Sequence, residues 1–342
     1  MSTSFAFILN PLKVVDKDGP IEIIPNYFLQ KANGQQIKVL KETFTKLPAS
    51  PFWLNSYEYD YGKFPEAKPD GFQDAPQLTQ QDWKYWIIVS KDRKSDKNRR
   101  NIFYKIEHSL SMLSNDLELG PVFFDPSGNR YEWNLRYIYN YFLDYPYGRR
   151  PATQITSKDI EEIGPIYNLF NDFFDKMYLD KFLIKGGKMV KIKDDYQDNF
   201  QHIDQAVHRF LQLRVLPRYS GLTIIGLFSI IESLITHKPT QNLHDSLKHQ
   251  IKTKIPLLNR RFQRTLDYGR YFNSAKEETI WSKLYDFRSK IVHDGSEDIE
   301  KDKDLKILTN LVSVTDFLKE AVKLLILLAL KEPEFITDLK KC

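Results

Sequence analysis

The chain has 342 residues, and its 50 basic and 45 acidic residues give a formal net charge of only +5. This balance excludes binding of nucleic acid through a strong global field, so any affinity for RNA must come from local patches. Apolar residues make up 42% of the sequence, which is typical of a globular protein, and the length is sufficient for two domains with separate cores.

Cysteine content and hydropathy narrow the class of protein further. The only cysteine is Cys342, which excludes an internal disulfide framework and any cysteine-based zinc or iron–sulfur site. The apolar run at residues 324–330 is far shorter than the roughly 20 residues that a membrane-spanning helix needs. The amino terminus lacks the basic start and long apolar core of a secretory signal. We therefore expect a cytoplasmic protein that has no membrane segment.

Residues 1–150 are predicted to form a mixed α+β domain that binds or senses a ligand. Short β-branched and aromatic runs at 21–24 and 83–89 are typical of strands. Helical spacing of apolar residues covers 35–47 and 102–113. The turn sequence at 125–129 separates two aromatic pairs and predicts a hairpin.

A segment rich in proline and glycine, at residues 145–151, is the predicted boundary between two domains. Residues 151–342 are predicted to be helical, with apolar positions recurring at helical spacing in five stretches: 160–177, 200–213, 222–236, 279–292 and 305–330. The predicted fold is therefore mainly α, with a C-terminal antiparallel helical bundle preceded by a mixed α+β N-terminal domain.

Arg288 precedes His293 by five positions at the end of the predicted 279–292 helix, and Gly295 follows as a candidate left-handed cap. Histidine exchanges protons near neutral pH, and arginine can hold a phosphate with two parallel hydrogen bonds. These residues have the chemistry for metal-free cleavage of RNA. The alternative is a histidine favoured by the helix dipole and an arginine whose stem packs on the surface.

The geometry of a helix places a condition on this pair. At ideal geometry the two side chains point about 140° apart, so they share a face only if the last turn unwinds at the glycine. Arg288 also interrupts an apolar and aromatic row, where a charge needs a partner. Glu232, an acid on the nearly all-apolar 222–236 helix, is the candidate partner and could instead orient His293. A structural ion pair without a role in catalysis is the alternative.

A basic segment follows the 222–236 helix and could follow an RNA backbone, as could the loop at 91–100. Solvated surface is the alternative for both, since aspartates lie near them. The remaining histidines, such as His237, His244 and His249, lack the carboxylates of a metal site, so we expect no metal. The basic side chains in question are Lys248, Lys252, Lys254, Arg260, Arg261 and Arg264.

Four stretches of the second half are LTIIGLFSIIESL, ITHKP, LKHQIKTKIPLL and LYDFRSKIVHDG. They resemble the C-terminal part of the Apea-like HEPN family, helical bundles that carry an arginine, a short spacer and a histidine. The resemblance implies a HEPN-like core at about 196–342 and a catalytic pair, Arg288 and His293, of a metal-independent endoribonuclease. It also implies an active cleft between two copies of the chain related by a two-fold axis.

The resemblance further implies RNA as the partner, no cofactor, and a role in bacterial defence against phage or in toxin-like growth arrest. Ser289 supplies the polar residue that often follows the arginine in the family. Asp294 is a departure from what the resemblance implies, because its negative charge beside the supposed cleft would weaken the attraction of RNA. Two alternatives are a non-catalytic RNA- or nucleotide-binding module and an interaction scaffold. A helical interaction domain with no nucleic-acid role is a third.

Overall fold

The computed structural model describes residues 4–46, 54–61, 75–92, 95–125, 127, 129–132, 141, 151–178, 182–185, 188–191, 195–239, 245–272 and 275–342. The chain divides into two compact units, Met1–Asn168 and Leu169–Cys342. The fold is rich in helix and has a separate antiparallel sheet, which confirms the predicted class at this level. Of the segment at 145–151, only Pro151 belongs to the described residues.

The first unit is built on a six-stranded antiparallel sheet with the order β3-β4-β5-β1-β6-β7. A second pair, β2 and β8, is parallel and joins two distant parts of this unit. The strands are β1 (Phe5–Ile8), β2 (Leu12–Val14), β3 (Ile21–Ile24), β4 (Tyr27–Lys31), β5 (Trp86–Ser90), β6 (Leu119–Phe123), β7 (Tyr131–Glu132) and β8 (Thr153–Ile155). The predicted strand at 21–24 and the β6–β7 hairpin are confirmed.

Among the described residues of this unit, the helices are α1 (Gly34–Thr45), α2 (Asn55–Glu58), α3 (Asp96–Met112) and α4 (Ser157–Glu161). Alternate residues of β1 and β5 point to one face, where Phe7 and Ile87 pack with Leu40 and Phe44 of α1 in an apolar core. Asn33 and Gln36 form a capping box that starts α1. Helix α3 begins earlier than predicted, so the end of the supposed basic loop at 91–100 is its first turn.

In the described residues of the second unit, the regular structure is helical apart from one hairpin, β9 (Phe182–Lys185) with β10 (Lys188–Lys191). Its helices are α5 (Ile163–Met177), which begins within the first unit, α6 (Asp195–Gln212), α7 (Gly221–Ile235), α8 (Leu247–Asn259), α9 (Glu277–Asp294), α10 (Leu311–Lys331) and α11 (Pro333–Lys341). Helix α7 contacts α6, α8, α9, α10 and α11, and most of its apolar residues are buried. The predicted central helix is therefore confirmed.

The last long helix begins later than the prediction of 305. Residues Lys306–Leu308 form a single 3₁₀ turn, and Thr309 has a left-handed φ of 63° that no α-helix accepts. The Asn310 side chain then accepts a hydrogen bond from the Ser313 N–H and starts α10 at Leu311. The stripe predicted over 160–177 is likewise divided between α4 and α5. Within the described chain, none of these helices has the length and apolarity to span a membrane.

Candidate functional site

The arginine–histidine motif lies at the C-terminal end of α9, which packs against α8 and α7 through a buried apolar face. The helix continues unbroken through Asp294. Gly295 then adopts a left-handed φ of 64°, and its N–H donates to the Ile291 carbonyl at 3.1 Å. The predicted glycine cap is confirmed. The expected unwinding of the last turn is wrong, because helical geometry extends past His293 to the cap.

Arg288 faces α7, where it meets Glu232. The distance between Arg288 Nη2 and Glu232 Oε1 is 3.4 Å, and the two side chains are 23% and 18% exposed. This is the ion pair suggested by two isolated charges in apolar rows, but it is longer than a good charge-assisted hydrogen bond. Within the described residues, Arg288 Nε and Glu232 Oε1 have no hydrogen-bond partner. The guanidinium is therefore held in place while part of its donor capacity is unused.

An aromatic side chain completes this cluster. Tyr285 lies one helical turn before Arg288, with its ring centroid 5.7 Å from the guanidinium carbon. Its ring packs edge-on against Phe228 of α7 at 6.1 Å. Tyr285 is not among the predicted site residues; the signal that identifies it is its position three residues before the arginine, which places both on one helix face.

The electrostatics of Glu232 are set by two opposing effects. Burial raises the pKa of its carboxyl, and the neighbouring Arg288 guanidinium lowers it by a smaller amount. Burial also raises the pKa of the Tyr285 hydroxyl, with a further upward contribution from Glu232. A carboxylate at hydrogen-bonding distance from an arginine would ordinarily have a lowered pKa. The net upward direction shows that lost solvation outweighs the attraction between the two charges.

His293 lies on a different side of the helix from Arg288. Its side chain is exposed, and no hydrogen bond or ion pair holds it within the described part of the chain. Because α9 is regular here, the two side chains point about 140° apart. Ser289 is half-buried and Asp294 is exposed. The fold of one chain therefore does not bring the guanidinium and the imidazole together.

The acidic segment after the motif folds back against the start of α7 and the end of α9. Glu297 Oε1 accepts a hydrogen bond of 2.7 Å from the Gly221 N–H at the start of α7. Lys290 donates to Asp302 at 2.9 Å, and this bond is the main cause of the lowered pKa of Asp302. Two of the carboxylates that the sequence places beside the motif are therefore bound within the fold rather than free to repel a phosphate.

Exposed apolar side chains surround the same helix ends. A Cβ on Gly221 would lie only 2.7 Å from Ile291 Cγ2, so the start of α7 is in close contact with the end of α9. Leu222 is 61% exposed and Val292 is 45% exposed. Tyr219, just before α7, is also exposed. These three side chains are the apolar rim of the site.

The six basic residues proposed for RNA binding have different surroundings. Lys254 is buried, and its ammonium donates to the carbonyls of Ile235 at 2.8 Å and Leu339 at 2.9 Å. Burial lowers the pKa of this lysine. The prediction that Lys254 binds RNA is therefore wrong, because its ammonium is hydrogen-bonded to these two carbonyls inside the helical unit. Lys254 stabilises the packing of α8 there.

The other five basic residues lie nearer the surface. Three are engaged by carboxylates: Lys248 with Asp286 at 2.6 Å, Arg261 with Glu332 at 2.5 Å, and Arg264 with Glu320 at 3.5 Å. Lys252 is half-buried and Arg260 is exposed, and neither forms an ion pair within the described residues. Three of these five charges are thus paired with acids within the described residues, so the basic face is weaker than the sequence indicates.

In the 91–100 segment, of which residues 93 and 94 are not described, Arg99 pairs with Asp96 and Arg100 pairs with Glu132. Of the histidines considered for a metal, His237 Nε2 lies 2.9 Å from Asp245 Oδ1, and His244 is outside the described residues. No group of three or more histidine, cysteine or acidic side chains is arranged to hold a metal ion in the part of the chain that the structure describes.

A comparison of the chain with protein-family models, with curated proteins and with solved structures finds no match. The function must therefore be inferred from the side chains of the site. Those side chains are a partly satisfied arginine beside a tyrosine and a glutamate, and an exposed histidine at a capped helix end. Together they offer phosphate binding and proton transfer.

Proposed function

We propose that this protein is a metal-independent endoribonuclease of HEPN type whose active site is completed by a second copy of the chain. The observation that carries the proposal is the state of Arg288. Its guanidinium is held by Glu232 at 3.4 Å, and its Nε has no hydrogen-bond partner in the described chain. A guanidinium with unused donors is suited to a phosphate, which can accept two parallel hydrogen bonds.

The reaction is the attack of a ribose 2′-hydroxyl on the adjacent phosphorus. One histidine removes the proton of the 2′-hydroxyl, the new O–P bond forms, and the bond from phosphorus to the 5′-oxygen breaks. A second proton donor protonates the leaving oxygen. The products are a 2′,3′-cyclic phosphate and a 5′-hydroxyl end. General acid–base catalysis of this kind contributes about 10² to 10⁴-fold in rate, and an arginine stabilises the charge that grows on the phosphate oxygens.

The second copy follows from the helix geometry. Since Arg288 and His293 point in different directions on one helix, a single chain cannot present both to one phosphate. A two-fold axis near the C-terminal end of α9 would place His293 of each copy opposite Arg288 of the other. The apolar rim of Tyr219, Leu222 and Val292 supports this arrangement, because such exposed apolar side chains are favourable at an interface.

Glu232 has a positioning role in this proposal. Its pKa is raised by burial in spite of Arg288, so its ionised form is held at an energetic cost. An incoming phosphate would take over the guanidinium and leave Glu232 free to take up a proton. Lys252 and Arg260 are the basic residues of the predicted set that lack an ion-pair partner among the described residues, and they are the ones that we propose contact the RNA backbone.

The proposal is tested by incubating the purified full chain with single-stranded RNA in EDTA and identifying the ends of the products. We expect fragments that carry 2′,3′-cyclic phosphate and 5′-hydroxyl ends. Arg288→Gln and His293→Ala should each reduce cleavage at least about 100-fold, with unchanged circular dichroism. His249→Ala removes an imidazole elsewhere in the helical unit and is the matched control, with activity close to wild type. Equal cleavage by both motif variants and wild type would refute the proposal.

A second candidate function is a non-catalytic RNA- or nucleotide-binding module. The observation that favours it is His293, whose imidazole is not oriented by any hydrogen bond within the described chain, whereas catalytic histidines usually are oriented by a partner. This candidate predicts that RNA binding depends on Arg288 and that no product ends form. The setting that we propose for the ribonuclease, defence against phage or growth arrest, rests on the resemblance of the motif region alone.

A further inference from the structure

The first unit contains a cavity of about 1400 Å³ that is not part of the proposed ribonuclease site. It lies beside the ends of β4 and β5, where Lys31 and Trp86 are directly opposite each other in the antiparallel register. Leu12 and Val14 of β2 and Gln154 of β8 also line it. The parallel β2–β8 pair therefore closes one side of the space. The volume exceeds the roughly 300 to 1000 Å³ of common small-molecule sites, so an organic molecule of moderate size fits.

Two indole rings form part of the cavity wall. Trp83 and Trp86 both line it, and the indole nitrogen of each is buried with no hydrogen-bond partner in the described residues. An indole N–H can only donate, and a buried donor without a partner costs about 1–3 kcal/mol. Because both nitrogens are covered by protein atoms, a ligand in the cavity would contact the indole rings rather than their N–H groups.

The charged side chains around the cavity favour an anionic ligand. Lys13 and Lys17 line it and are exposed, and neither forms a hydrogen bond or an ion pair within the described part of the chain. Lys31 donates to the Gln81 carbonyl at 2.9 Å, on an exposed part of the wall. Within the described residues, the ammonium groups of Lys13, Lys17 and Lys31 thus form no ion pair with a carboxylate.

The carboxylates on the wall are mostly occupied. Asp60 lies 3.1 Å from the Lys84 ammonium, and Asp82 accepts a hydrogen bond of 2.5 Å from the Thr79 hydroxyl. Asp18 is the remaining carboxylate on the rim, and the amides of Gln30 and Gln154 can either donate or accept. The groups left over are thus mainly donors and cations, so a matching ligand has to supply acceptors and negative charge.

We propose that this cavity binds a small organic anion that combines a flat apolar ring with acidic oxygens, of the class of nucleoside phosphates. The ring would lie against the indole and aliphatic wall formed by Trp86, Leu12 and Val14. The acidic oxygens would accept from the ammonium groups of Lys13 and Lys17. This site belongs to the first unit and is independent of the ribonuclease proposal.

Isothermal titration calorimetry on the full chain, without added metal, tests the proposal with four probes: ATP, AMP, adenosine and inorganic phosphate. We expect ATP and AMP to bind, and adenosine and phosphate each to bind at least about tenfold more weakly, because each lacks half of the recognised chemistry. The double variant Lys13→Gln with Lys17→Gln should raise the Kd about tenfold through the loss of two partly screened charge contacts. Higher ionic strength should weaken binding in the same way.

Trp86→Leu keeps an apolar side chain and removes the indole against which the ring of the ligand would lie, so it should raise the Kd about tenfold. The matched control replaces two exposed lysines of the same unit that do not line the cavity, Lys38→Gln with Lys97→Gln, and should leave the Kd unchanged. Thermal unfolding of each variant shows that the unit is intact. Failure of both nucleotides to bind at millimolar concentration, or equal weakening by the control pair, would overturn the proposal.

Discussion

The ion pair between Arg288 and Glu232 gives a sharp test of the electrostatics of the site. Two unit charges about 4 Å apart attract by about 4 kcal/mol at an effective dielectric constant of ~20, and burying each ion costs several kcal/mol. The raised pKa of Glu232 shows that the burial cost is larger. The partners should therefore respond asymmetrically when either charge is removed.

Arg288→Met keeps an apolar stem but leaves the Glu232 carboxylate, 18% exposed, without a counter-charge. We expect this variant to lose about 1–3 kcal/mol of unfolding free energy, somewhat less than a fully buried pair would lose. Glu232→Gln removes the charge that is costly to bury. The unfolding free energy of this variant should therefore be the same as that of wild type or higher, by no more than about 1 kcal/mol. The double variant should recover most of the loss.

The assay is urea unfolding followed by far-ultraviolet circular dichroism, repeated between pH 7 and pH 4. A raised carboxyl pKa stabilises the folded state most below the unfolded value of about 4.5, and that stability is lost as the pH rises through the folded value. Any advantage of Glu232→Gln should therefore be present at pH 7 and disappear towards pH 4. A large loss in Glu232→Gln with no loss in Arg288→Met would refute the reasoning.

Two further predictions concern the same unit. Gly295→Ala should cost about 1 kcal/mol because φ at this cap is 64°, whereas Gly34→Ala, at a helix start with open space around it, should cost nothing measurable in the same urea assay. Burial, with a smaller contribution from Lys340, lowers the pKa of His202 to about 4. Because the unfolded state then binds the proton more readily, the free energy of unfolding should fall as the pH drops from about 6.5 to about 4. His202→Gln should flatten that dependence. An NMR titration that gives His202 an ordinary pKa would contradict this prediction.

Much of the helical unit could be predicted from local pattern. The sequence of α7 is apolar on almost every side, so its central position follows from composition. The glycine cap of α9 follows from Gly295 standing directly after the periodic residues. The Arg288–Glu232 pair was foreseeable because each is an isolated charge in an apolar row, and such charges find partners.

What could not be predicted depends on contacts between distant residues. Lys254 has the sequence character of a surface lysine, and its burial follows from the Ile235 and Leu339 carbonyls, which only the packed fold brings to it. The start of α10 was missed because Thr309 adopts a left-handed conformation that is uncommon for a β-branched residue. The cavity of the first unit depends on the parallel pairing of β2 with β8, which no local pattern encodes.

The central claim is that Arg288 of one copy and His293 of another act on the same phosphate, and mixing two inactive variants tests it most directly. Equal amounts of Arg288→Gln and His293→Ala chains are dissociated, reassociated and assayed for RNA cleavage in EDTA. Half of the two-fold dimers then carry one intact composite site, so we expect recovery of up to about a quarter of wild-type activity. Activity no higher than that of either variant alone, while wild type cleaves under the same treatment, would contradict the claim.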